Sequence, residues 1–118
     1  MKKQNTVKLN PERLGAFRVA AKTYEIFVVD ELPESRAVTD AKSGTIFLTE
    51  ACEDEMRDQL MHECLHAIFD AYGIAHGVDS DTEEAIIRRL APALLASFDI
   101  KLPVTRLTYQ QRHGKKTR

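Results

Sequence analysis

TIFLTEACEDEMRDQLMHECLHAIFDAYG, residues 45–73, passes from a β-rich run into a helical one within a few residues. Thr45 to Thr49 are mostly β-branched or aromatic, the composition of a strand. A helix should start near Glu50 to Glu53, because Glu53, Asp54 and Glu55 suit the positive end of its dipole. Gly73 supplies its stop. At about 100° per residue, Met61, Leu65, Ile68 and Tyr72 fall on one apolar stripe, the expected buried seam of a helix over about 51–72. His62 and His66 lie about 40° apart, one turn apart, on the flank of that stripe. Both rings can therefore aim at one point, and Glu63 lies farther round, beside that point.

Working outward, FRVAAKTYEIFVVDEL (17–32) reads as two strands around a turn near Ala21 and Lys22. Apolar and polar residues alternate from Tyr24 to Val29, as in a half-buried strand. AVTDAKSGTIFLTE (37–50) reads as a second hairpin, with its turn at Asp40 to Gly44. The strands thus occupy about 7–49. After the loop GIAHGVDSDT, a second helix is expected over about 81–98, with Ser80 or Asp81 as N-cap. Its stripe is Ile87, Leu90, Leu94 and Phe98, flanked by Ile86, Ala91 and Leu95. Pro92 removes a backbone donor within it, so a kink or break is expected there. Strands first and helices second imply an α+β domain, residues 1–103, with the helices packed on a small antiparallel sheet.

His-Glu-x-x-His on a helix is a metal-site pattern with a mechanism: two imidazoles hold the ion and the carboxylate takes a proton from bound water. Each residue alone has a blander reading, the histidines as hydrogen-bonded structural groups and the glutamate as a solvated one. Catalytic zinc takes three protein ligands, and the first turn of the second helix offers Glu83 and Glu84. Ser80 and Glu83 have the form of a capping box, but Asp81 and Glu84 can cap the same turn. Glu84 projects to the flank of its stripe, as the histidines do, and matches a ligand better than Glu83. Asp70, one turn beyond His66, fits a residue that orients an imidazole. His76 reads as a surface histidine that a loop could swing inward as ligand or oxyanion donor. Cys64 reads as core packing, and Cys52 has no second cysteine at metal spacing.

At 118 residues the chain suits one domain with one modest core. No apolar run reaches the roughly 20 residues of a membrane span. Nothing near the N-terminus reads as a secretory signal, and two cysteines are too few for a disulfide framework. Cytoplasmic residence is the default expectation. The net charge of −1 hides an acidic body, with five bases and 17 acids over residues 23–100. Residues 1–22 and 101–118 each carry six Lys or Arg. These ends, including the basic C-terminal tail 104–118, read as solvated tails. Nucleic acid is a partner only through them, and no aromatic residues are interleaved to support it.

The stretch 45–74 followed by TEEAIIRRLAPALL (82–95) resembles small zincin-type metallopeptidases of phages and prophages. It is similar in outline to gluzincins and to the phage-repressor-cleaving (ImmA-type) group. The resemblance covers roughly residues 37–103 and rests mainly on His-Glu-x-x-His. It implies a minimal zincin fold, zinc held by His62, His66 and Glu84 or Glu83, and Glu63 as general base. A host cytoplasm and a peptide or protein substrate follow from it. Arg88 and Arg89 depart from the apolar or small residues of the repressor-cleaving members, so the resemblance does not extend to that substrate. An extended substrate is expected to add to the sheet along Thr45 to Thr49, with Tyr72, His76 and Tyr109 as candidate oxyanion donors. The alternative is a non-catalytic, zinc-stabilised adaptor with a closed site of four protein ligands, His76 or Asp70 being the fourth. A metal-free helical interaction domain is a third reading.

Overall fold

A computed structural model describes residues 11–32 and 35–105. Four strands, β1 (Glu12–Val19), β2 (Lys22–Val29), β3 (Ala37–Asp40) and β4 (Thr45–Thr49), precede two helices, α1 (Glu53–Ala71) and α2 (Ser80–Ser97). A short 3-10 turn, Ile74–Gly77, joins the helices. The domain is α+β, and both hairpins form at the expected turns. Among the described residues no helix is long and apolar enough to cross a membrane.

The sheet is mixed rather than antiparallel: its order is β1-β2-β4-β3, and β2 runs parallel to β4. Alternation within a strand fixes which face each side chain takes, but it does not say which strand sits beside which. Burial decides the order. In β4, Ile46 and Leu48 are fully buried, and Phe47 stacks on Phe27 across the opposite face at 5.8 Å. In β3 no residue is fully buried and Val38 is exposed. The apolar strand therefore takes the inner position and the short polar one the edge.

Tyr24, Ile26 and Val28 of β2 and Ile46 and Leu48 of β4 form one apolar face, which α1 covers with Met56, Leu60, Cys64, Ala67 and others. α2 makes its main contact with α1, so α1 lies between two layers. That position corrects the narrow-seam expectation. Tyr72 is exposed and Ile68 half-buried, whereas Leu60, Cys64, Ala67 and even Glu63 are buried. A helix covered on two sides buries residues well outside one stripe. On α2 the fully buried line is Ile87 and Ala91, while Ile86 and Phe98 are exposed.

The ends of the helices have local causes. Three acids occupy the first turn of α1, and the helix stops where Gly73 takes a left-handed conformation (φ 76°) that other residues adopt only at a cost. The N-cap of α2 is Asp79, not Ser80 or Asp81; its carboxylate accepts from Thr82 N at 2.7 Å. α2 continues through Pro92 to Ser97 without the expected break. Pro92 and Arg88, whose carbonyl loses its helical partner, both face solvent, where water replaces the missing bond. At the far edge of the sheet Val104 bridges to Gly15 and Thr105 N donates to the Leu14 carbonyl (3.2 Å). The rest of the basic tail, residues 106–118, and the first ten residues of the basic N-terminus lie outside the described residues.

Candidate metal centre

His62 and His66 occupy consecutive turns of α1 and face the first turn of α2, with ring centroids 5.0 Å apart. The Asp79 cap fixes where that turn begins, and so where Glu83 and Glu84 project. Glu84 comes to both histidines: Oε2 lies 3.0 Å from His62 Nε2, and Oε1 lies 3.0 Å from His66 Nε2. One ligand atom from each of His62, His66 and Glu84 falls within 4.8 Å of the others. Two atoms that each sit about 2.1 Å from a tetrahedral ion are roughly 3.4 Å apart. The nitrogen–oxygen separations, 3.2 Å from His62 Nε2 and 3.0 Å from His66 Nε2 to Glu84 Oε1, are near that spacing already, and two imidazoles with a carboxylate are ligands that suit zinc.

Glu83 takes a different place. It lies on the line that continues to buried Ile87, and its Oε2 accepts from His66 Nδ1 at 2.7 Å. This bond holds the His66 ring with Nε2 turned toward Glu84, the orientation a metal-ligating histidine needs. The orienting role expected of Asp70 thus falls to Glu83. Asp70 is exposed on the last turn of α1, at one end of the same cleft.

Glu63 is buried and turned toward β3. The Thr39 hydroxyl lies 2.6 Å from Glu63 Oε1 and 3.1 Å from the Glu63 carbonyl oxygen. Thr39 went unnoticed in the sequence because nothing in AVTD links it to a helix 24 residues away. Only the sheet order, with β3 at the edge beside α1, brings them together.

The electrostatics follow from burial and pairing. Burial raises the Glu63 carboxyl above its ordinary range, and the Thr39 bond and the two histidines offset this only partly. Burial alone would lower His66, but the Glu83 bond and the Glu63 and Glu84 carboxylates outweigh it and raise the imidazole. Burial pushes Glu84 up, yet its bonds to His62 and His66 prevail and lower it. Arg88 also donates to Glu84 Oε2 at 3.1 Å, across one turn of α2.

Glu63, the two histidines and Glu84 open onto a cleft of about 510 Å³, walled on one side by Ala37 to Thr39 of β3. A second hollow of about 320 Å³ continues past His62 toward Arg36 and Arg88. A larger apolar hollow, about 640 Å³, lies on the outside of α2, where Ile86 and Leu90 line it away from the cluster. Because β4 is paired on both sides, a substrate cannot add along Thr45 to Thr49 as expected; the strand on the cleft is β3. Tyr72 and His76 are exposed and do not line the cleft, and Tyr109 lies outside the described residues. No family model, curated protein or solved structure matches this chain.

Proposed function

We propose that the protein is a zinc-dependent metallopeptidase acting in the cytoplasm. The observation that carries the reading is the joint placement of His62, His66 and Glu84 around one point, with buried Glu63 opening onto the same cleft. His62 and His66 would hold the ion through their Nε2 atoms and Glu84 through a carboxylate oxygen. Bound there, zinc would supply a Lewis acid that makes water acidic and takes up negative charge developing on a substrate carbonyl.

The chain's own residues do the rest. Glu63 accepts a proton from the attacking water and returns it to the leaving nitrogen, a task suited to a carboxyl whose pKa burial has raised toward neutrality. Thr39 holds that carboxylate from the side of β3. Glu83 fixes the tautomer and tilt of His66. An extended peptide running beside β3 would bring its carbonyl past Glu63, with main-chain bonds to the strand setting its direction.

The adaptor reading requires a fourth protein ligand. Of the two expected fourth ligands, His76 is exposed outside the cleft, and Asp70 lines the cleft but is not among the residues whose ligand atoms come within 4.8 Å of one another; Glu83 is engaged with His66 Nδ1. A buried base beside the cluster also has no task in a purely structural site. Both points favour hydrolysis.

Metal analysis and activity together test the proposal. Purified protein should carry one zinc per chain, and His62→Ala should lose it. Glu63→Gln should keep the zinc and lose peptide hydrolysis. Wild-type protein without stoichiometric zinc, or equal turnover by Glu63→Gln, would falsify the reading.

A further inference from the structure

α2 packs on α1 through buried Ile87 and Ala91, yet its outer side is apolar too. Ile86 is 40% exposed there and, with Leu90, Ala85 and Ala93, lines the open hollow of about 640 Å³. Apolar surface gathered on the side away from the core marks a place where another surface packs.

Charge is segregated along the same helix. Asp79, Asp81, Glu83 and Glu84 stand at its start, Arg88 and Arg89 follow in the next turns, and no ionisable residue lies between Arg89 and Asp99. Asp81 and Arg89 are both exposed and both line the hollow. Asp81 forms no ion pair among the described residues, and Arg89 donates to the Ala85 carbonyl of its own helix at a long 3.4 Å. The two residues stand about 12 Å apart along the axis, with small Ala85 midway between them.

We propose that this face is a homodimer contact, in which α2 packs antiparallel on α2 of a second copy about a two-fold axis near Ala85 and Ile86. Such an axis sets residue i against j and j against i. Asp81 of each copy therefore meets Arg89 of the other, and Ile86 and Leu90 of both copies close the hollow between them. Ala85 at the crossing lets the two backbones approach. Parallel packing would set one acidic start against another, and a partner of uniform charge would meet its like at one end. A surface with the same two charges in reverse order satisfies both ends, and a second copy run antiparallel supplies it. The turn concerned carries Glu83 and Glu84 on its inner side, so the contact also steadies the start of α2 where His62 and His66 receive their carboxylates. The contact itself does not depend on what that cluster binds.

Sedimentation equilibrium of the full chain tests the contact. Wild-type protein should dimerise reversibly with a Kd on the order of 10 µM, as suits a small interface. Asp81→Arg and Arg89→Asp each set like charges together at both symmetric positions, and each should weaken the dimer about tenfold or more. The double variant exchanges the charges and should return to within about threefold of wild type. Ile86→Lys should abolish association with the helical circular dichroism unchanged. A dimer that survives Ile86→Lys, or a double variant no better than the single ones, overturns the proposal. So does a wild-type chain that stays monomeric to about 1 mM, which would leave the face to a different protein or to another segment of this chain.

Discussion

At the residue scale, Glu63 works against the stability of its own fold. A carboxyl only 7% exposed is raised by burial, so its ionised form at neutral pH is less favourable folded than unfolded. Glu63→Gln removes that charge while its amide oxygen still accepts from Thr39. The variant should therefore gain about 1 kcal/mol at pH 7, read as a higher melting temperature, even as it loses the proposed hydrolysis. A lower melting temperature would contradict the account of a strained base. Glu83 and Glu84 separate by role in the same way. On the proposed zinc reading, Glu84→Ala removes a ligand atom, whereas Glu83→Ala removes only the bond that holds His66. The second loss should weaken zinc binding roughly 10–100-fold, measured by competition with a chromogenic chelator, and the first should weaken it further. The cysteines divide by burial. Burial, with Glu63 close by, pushes the Cys64 thiol up to about 12, while Cys52 is exposed. Iodoacetamide should label Cys52 alone in native protein and reach Cys64 only after unfolding.

At the element scale, legibility followed the range of the information. Turns, strand faces and the helix stop at Gly73 are local matters, and TIFLT, AVTD and DAYG carried them in full. The His62–His66 pair was legible because one helix sets its geometry. The choice between Glu83 and Glu84 was half legible: flank position indicated Glu84, but that Glu83 would bind His66 depended on the angle between two helices. The parallel pairing of β2 with β4, and hence Thr39 beside Glu63, was not legible, because four half-apolar strands fit several orders. Gly15 was equally silent. A Cβ there would meet the Pro103 carbonyl oxygen at 2.3 Å and Val104 Cα at 3.0 Å, both backbone atoms that cannot step aside cheaply. Gly15→Ala should push residues 103–105 off the edge of β1 and cost about 1–3 kcal/mol, measured by urea unfolding. An unchanged midpoint would mean the strap adds nothing to the sheet.

At the scale of the whole molecule, the cluster couples folding to protons and, on the proposed reading, to metal. In metal-free protein both ring nitrogens of His66 face carboxylates, an arrangement that favours the protonated ring and raises its pKa above the ordinary 6.5. The stability this provides is fully present below about 6.5, the unfolded value, and is lost as pH rises through the higher folded value. Raised Glu63 acts in the same direction from a lower starting point: its cost sets in above the ordinary carboxylate value and persists at neutral pH. On the proposed zinc reading, bound metal would reverse the trend. It needs the Nε2 lone pairs that protons occupy, so its affinity climbs as His66 deprotonates, by up to about tenfold per pH unit for each proton displaced. The stabilisation from bound ligand grows with that affinity. Melting temperatures taken from pH 6 to pH 8 should therefore fall in the presence of a chelator and rise at fixed free zinc, so that the two curves diverge. His66→Gln should flatten both, because it removes the titrating ring and a ligand together. Parallel curves with and without zinc would show that protons and metal do not compete at this cluster, and would remove the basis for placing an ion between α1 and α2.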